Sequence, residues 1–318
     1  MGTLSGLSGS TGFIQSTSQL DMLEGVFLDF LRQHDVKENS KKTYAYSFKG
    51  FLKFVRENNV LELNKIVLLD FKEHLISNFS PFTANLYLGV IKQLFKYLHD
   101  TGVIKANNVA GIKRVKQPKG FKKNCLTVGD VKSLLASIDK ETITGKRDYA
   151  ILLLMITTGL RTKEVVDACM DDISQVSGQY VLYIQGKGRD SKDDFVVLND
   201  GALQAIREYK KELGKVVDLA PLFKSFSNRN TSGKVTTKTI SKMVKDRLAS
   251  IGIDDERITA HSLRHTAVTL SLLSGATLQE TQAMARHGDI NKTLIYAHNI
   301  DRMKNAPENK ILDFINNG

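Results

Sequence analysis

The sequence has no tryptophan, 4 prolines and 2 cysteines among its 318 residues. Cys125 and Cys169 form neither a CxxC pair nor part of a His-rich cluster. That excludes a disulfide scaffold and a cysteine-built zinc module. Two free thiols suit a reducing compartment, and a cytoplasmic location is the expectation. No apolar run approaches the ~20 residues a membrane-spanning helix needs; the longest is Ala150 to Ile156. No basic segment precedes an apolar run at the N-terminus, so no secretory signal is expected. Residues 1–20 carry no charged side chain and are rich in Gly, Ser and Thr. They read as a flexible lead-in. The 23 glycines follow no period, and no internal repeat is visible.

What the chain does have is positive charge. Lys and Arg number 45 against 34 Asp and Glu, a formal balance of +11. Such a balance points to a polyanionic partner, nucleic acid before membrane.

Helical spacing begins near Leu20 with Leu23, Val26, Phe27, Phe30 and Leu31. A second helix is expected from Ser40 as N-cap to about Glu57 and a third from about Val67 to Ser77. A fourth starts at Ser80-Pro81 and stops before Gly102. This predicts a four-helix domain over residues 21–105. Residues 106–124 are basic, with Pro and Gly and no helical period, and read as an interdomain linker. The second domain, residues 125–302, opens on Thr127 with Asp130 three residues on. It holds an apolar helix around Tyr149 to Ile156. Two β-like runs follow, Tyr180 to Gln185 and Phe195 to Leu198, joined by a charged tip. Residues 214–235 read as irregular and the rest as helix. The fold class expected is mainly α with a small antiparallel sheet, followed by a C-terminal tail helix over 303–318.

Five segments of the second domain place polar groups where packing alone does not ask for them. Arg161 follows the Gly159 end of the apolar helix, with Glu164 three residues on, where it can orient the guanidinium. Lys187 sits between Gly186 and Gly188 at the hairpin tip, and this is not a Walker loop. His261 and Arg264 lie three apart on a helix, a pairing of proton carrier and cation that suits an oxyanion. His287 stands at a helix end, and Tyr296 lies nine residues beyond it. A zinc site at His261 and His265 is disfavoured, because the Glu of HExxH is absent and Arg264 stands between them. No metal and no cofactor are expected.

In their order and spacing these segments resemble the tyrosine recombinase, or phage integrase, family. The family pattern is an Arg in a TGLR-type turn, a hairpin Lys, HxLRH, a second His in an LGH-type turn, and a Tyr nine residues later. This chain has Arg161, Lys187, His261 with Arg264, His287 and Tyr296 in that order. It departs from the pattern at Ala285-Arg286, where Leu-Gly is usual. The resemblance implies a SAM-like core-binding domain ahead of the catalytic domain. It implies a metal- and ATP-independent enzyme with Tyr296 as nucleophile forming a 3′-phosphotyrosine. In it Lys187 is the acid for the 5′-oxygen, His261 the base or shuttle, and His287 a donor to a non-bridging oxygen. Its partners would be a double-stranded DNA recombination site and, through the tail, a homotetramer in the synaptic complex, with a monomer or weak oligomer when free. DNA contacts are expected from Lys41, Lys42, Lys49, Lys92 and Lys96 in the first domain, Lys122 and Lys123 on the linker, and Arg189 and Lys238 in the second domain. The favoured role is integration and excision of a mobile element. A chromosome-dimer resolvase, a type IB topoisomerase-like enzyme and a non-enzymatic DNA-binding regulator are the rivals.

Overall fold

The computed structural model describes residues 17–34, 36–60, 62–105, 109, 111–118, 125–186, 189–214, 219–227 and 233–317. The chain forms two compact units, one up to Gly120 and one from Phe121.

The first unit is four helices: α1 (Thr17–Gln33), α2 (Glu38–Glu57), α3 (Lys65–Asn78) and α4 (Pro81–Asp100). Its core is built on phenylalanine. Phe51 meets Phe71 and Phe95 edge to face, and Phe27 stacks on Phe48. All five rings are buried, each removing a large apolar area from water. Local chemistry sets the helix starts. The Asn64 side chain accepts from the Ile66 and Val67 N–H groups, and Ser80 caps Thr83 ahead of Pro81. Two boundaries differ from expectation. Helix α1 begins at Thr17, inside the segment read as flexible, and α2 begins at Glu38 rather than after Ser40. Lys37 precedes α2 without a side-chain cap, so no sequence signal marks that start. Residues 111–118, read as linker, fold back onto this unit. Ile112 is buried, Lys92 Nζ donates to its carbonyl at 2.8 Å, and Asn85 exchanges two hydrogen bonds with the Val115 backbone.

The second unit runs α5 (Val128–Ala136), α6 (Ile143–Thr158), α7 (Thr162–Asp167), β1 (Ile173–Val176), β2 (Gln179–Ile184), β3 (Asp194–Val197), α8 (Asp200–Leu213), α9 (Thr237–Ser250), α10 (Ala260–Leu273), α11 (Leu278–Ala285), α12 (Asn291–Lys304) and α13 (Pro307–Asn317). Thr127 and Asp130 make the reciprocal cap expected of α5. Helix α6 packs against α8 and α10 and buries Ala150, Ile151, Leu152, Leu154, Met155 and Ile156 together with the Arg147–Asp148 ion pair. The sheet has three antiparallel strands in the order β1-β2-β3. Strand β1 was not foreseen, since Ile-Ser-Gln-Val is short and half polar. It joins β2 through Ser177-Gly178, both at positive φ, the two-residue turn whose twist matches paired strands. The stretch read as irregular adds two isolated bridges, Cys169 with Pro221 and Lys224 with Lys234. The protein is thus mainly α-helical with a small antiparallel sheet, a helical N-terminal domain preceding an α-rich second domain.

Candidate active site

Helix α6 ends at Gly159 with φ +64°, a left-handed conformation that glycine takes at no steric cost. Two residues later Arg161 starts α7. Glu164 reaches back to it twice: Oε2 accepts from the Arg161 backbone N–H at 2.8 Å and Oε1 from Nη1 at 2.6 Å. The Glu164 side chain is 4% exposed and that of Arg161 29%, so the guanidinium is held from behind and open in front.

Arg264 lies in the first turns of α10 and is 3% exposed. Its Nη1 donates to Gly159 O at 2.6 Å and its Nη2 to Ala285 O. The side chain thereby ties the end of α6 to the end of α11. Burial, with Arg161 and Arg286 nearby, brings its pKa down to about 10. It therefore remains a cation at neutral pH. Two of its five N–H groups bond these carbonyls.

Arg286 ends α11 in the left-handed region, φ +53°, and turns the chain into His287. The His287 Nδ1 pairs with Thr293 Oγ1 at 2.8 Å. Burial first, then the cations of Arg264 and Arg161, push the His287 pKa down to about 4. The ring is therefore neutral at pH 7. In the tautomer in which the Thr293 hydroxyl donates to Nδ1, Nε2 carries the proton and can donate.

A pH effect on stability follows. A depressed folded-state pKa stabilises the fold above the ordinary value near 6.5 and loses that contribution as pH falls through about 4. The wild type should therefore lose more melting temperature than His287→Asn between pH 6.5 and 4. Parallel melting curves for the two proteins across that range would refute the assignment.

Tyr296 lies on α12 and is 7% exposed, its ring packed with Val268 and Ala285. Its hydroxyl bonds His265 Nδ1, and the two rings stack at 5.6 Å. Burial raises the phenol to about 12, and Arg264 opposes that rise. In this arrangement the hydroxyl is protonated and a weaker nucleophile than a free phenol.

His265 was missed as a site residue. It is buried in α10, where a polar ring needs a partner, and that burial is set by the packing of the fold. The exposed His261 meets His265 edge-on at 4.8 Å, linking His261, His265 and Tyr296. His261 and Arg264 start the same helix, but one is exposed and the other buried.

The structure thus gathers Arg161, Glu164, Arg264, His287 and Tyr296, with His261 reaching them through His265. Lys187, Lys122 and Lys123 lie outside the described residues. Of the other cations expected to meet DNA, Lys92 is engaged by Ile112 O, Lys41 lies 3.7 Å from Glu38, and Arg189 lies 2.9 Å from Asp193. Lys42, Lys49, Lys96 and Lys238 are exposed.

Comparison with known proteins adds the following. Residues 124–303 match the phage integrase family, and residues 24–104 match the phage integrase N-terminal SAM-like domain. The chain is 30% identical over 287 residues to tyrosine recombinase XerD of Listeria monocytogenes serovar 1/2a, covering 87% of this chain and 94% of that protein. It is 27% identical over 283 residues to tyrosine recombinase XerC of Thermodesulfovibrio yellowstonii, covering 86% and 90%. The crystal structure of the XerH site-specific recombinase in a post-cleavage complex with palindromic difH substrate is similar with a TM-score of 0.72 at 21% identity, covering 94% of this chain and 85% of that one. A lambda integrase dimer bound to a COC′ core site is similar with a TM-score of 0.68 at 15% identity, covering 89% and 77%. At these identities the two structures bear on the fold.

Proposed function

Because the chain belongs to the phage integrase family of tyrosine recombinases, we infer that its second domain cuts and rejoins a specific double-stranded DNA site through Tyr296. The observation that carries this reading is the convergence of two guanidiniums, a neutral histidine and a tyrosine from four separate helix ends or helices. Gly159 O and Ala285 O, both bonded to Arg264, stitch these elements together.

The chemistry proceeds from the charges. A phosphodiester repels a nucleophile until its own charge is offset. Arg161 and Arg264 hold the non-bridging oxygens, and His287 donates through Nε2. The Tyr296 oxygen attacks phosphorus, its proton leaving by way of His261. A 3′-phosphotyrosine forms as the bond to the 5′-oxygen breaks, and Lys187 protonates that oxygen. The phosphoester energy is retained in the covalent link, so the reverse attack by a 5′-hydroxyl reseals DNA without ATP. Fixed cations do the work that a divalent metal does in other phosphoryl-transfer enzymes.

The domains divide the work. Residues 21–105 bind DNA with 106–124 as a basic strap, residues 125–302 carry the chemistry, and 303–318 reach a neighbouring copy. On α13, Ile311, Leu312, Phe314 and Ile315 are between 57% and 78% exposed. That apolar stripe supports assembly of a homotetramer on DNA from a free monomer or weak oligomer. The free thiols of Cys125 and Cys169 suit the cytoplasm. Integration and excision of a mobile element is the role we favour. The likeness to tyrosine recombinases XerD and XerC supports DNA recombination, and a chromosome-dimer resolvase is the second reading.

A nicked suicide duplex carrying the recombination site should trap a covalent protein–DNA adduct in excess EDTA and without ATP. Loss of the adduct on chelation would overturn the cation-only mechanism.

A further inference from the structure

We propose that Arg286 is a positioning residue for Arg161, acting through Glu164, and so sets the phosphate site on which the preceding reading rests. Three observations carry this. First, Arg286 occupies a left-handed position, φ +53°, where glycine is the undemanding choice. A backbone penalty is thus carried for the sake of the side chain. Second, that side chain is 8% exposed and spends its Nη2 on Glu164 Oε2 at 2.9 Å, while Nε faces Asp194 of β3 at 3.9 Å. Third, Glu164 is the same carboxylate that holds Arg161 by both backbone and guanidinium.

The geometry makes Glu164 a shared anchor. A buried carboxylate between two arginines cannot rotate without breaking a charge-assisted bond on one side or the other. Arg286 fixes Glu164 from the α11 side, and Glu164 fixes Arg161 at the start of α7. Without Arg286, Glu164 Oε2 accepts only the Arg161 backbone N–H among the described residues, and the carboxylate is free to tilt. Arg161 tilts with it. Since the Arg286 Nη1 also donates to Met284 O at 2.9 Å, the turn that presents His287 is braced in the same step.

The test measures the rate of adduct formation on the suicide duplex, DNA affinity, and the thermal melt. It uses the full-length wild type, Arg286→Gly, Arg286→Lys, Glu164→Gln and the double variant Glu164→Gln/Arg286→Gly. Arg286→Gly should cut the adduct rate by about 10- to 100-fold, the scale of a misplaced catalytic group, with DNA affinity unchanged. Arg286→Lys should recover part of the loss, since an ammonium still pairs with Glu164. In the Glu164→Gln background, Arg286→Gly should add little, because the route through the carboxylate is already cut. An Arg286→Gly rate equal to wild type, or a full additive loss in the double variant, overturns the proposal. A folded wild type that forms no adduct overturns instead the reading of the site as a phosphotyrosine centre.

Discussion

Tyr296→Phe is expected to reduce covalent adduct formation to background while leaving the protein folded and bound to DNA. The substitution removes one oxygen and keeps the ring, which packs against Val268 and Ala285 in a closed cluster. The fold loses the hydrogen bond to His265 and no packing, a cost of about 1 kcal/mol. On the proposed mechanism the chemistry loses its nucleophile. The wild type carries a handicap of its own. Its phenol is raised to about 12 by burial, so attack requires that the hydroxyl leave this environment or that the cations be brought to bear on it. Arg264 is the cation that already lowers it. Adduct yield should therefore rise with pH over the range in which the protein stays folded, and Tyr296→Phe should stay at background throughout. Denaturing gels of the trapped complex, with DNA binding measured in parallel, separate the two effects. Adduct of undiminished yield in the variant would remove Tyr296 from the mechanism.

Much of this site was legible from local chemistry, and the remainder was not because it is non-local. Gly159 announces a helix end that only its own φ requires, and Glu164 three residues past Arg161 is within one turn of its target. The caps at Asn64, Ser80 and Thr127 are likewise read over three residues. By contrast Arg286 reaches Glu164 across 122 residues of chain. Nothing in the run Ala285-Arg286-His287 declares that partner, and the residue reads only as a departure from a glycine. His265 is a similar case. Its neighbours His261 and Arg264 drew attention by pattern, while its own role depends on α12 arriving 31 residues later with Tyr296. Strand β1 went unread because its stability comes from register with β2, in particular Ile173 opposite Leu182, and not from its own composition.

Arg264→Lys should separate charge from geometry at the proposed phosphate site. The substitution keeps a cation, so a site that needs only positive charge would keep its rate. Arginine here does more. It donates to Gly159 O at 2.6 Å and to Ala285 O, and has further N–H groups in the same plane with which to meet an anion. An ammonium has three donors on one atom and cannot span two carbonyls and a phosphate together. Cleavage should therefore fall by about 10²- to 10³-fold, the scale of losing one preorganised donor to a developing charge. Stability should also fall, by about 1–3 kcal/mol, because the variant leaves a buried carbonyl without its partner. The two losses can be told apart. Raising the DNA concentration to saturation, at a temperature where the variant is fully folded, recovers whatever was lost to unfolding or binding and leaves the loss in the chemical step. A saturated rate within threefold of wild type would mean that Arg264 holds α6 to α11 and takes no part in binding the phosphate.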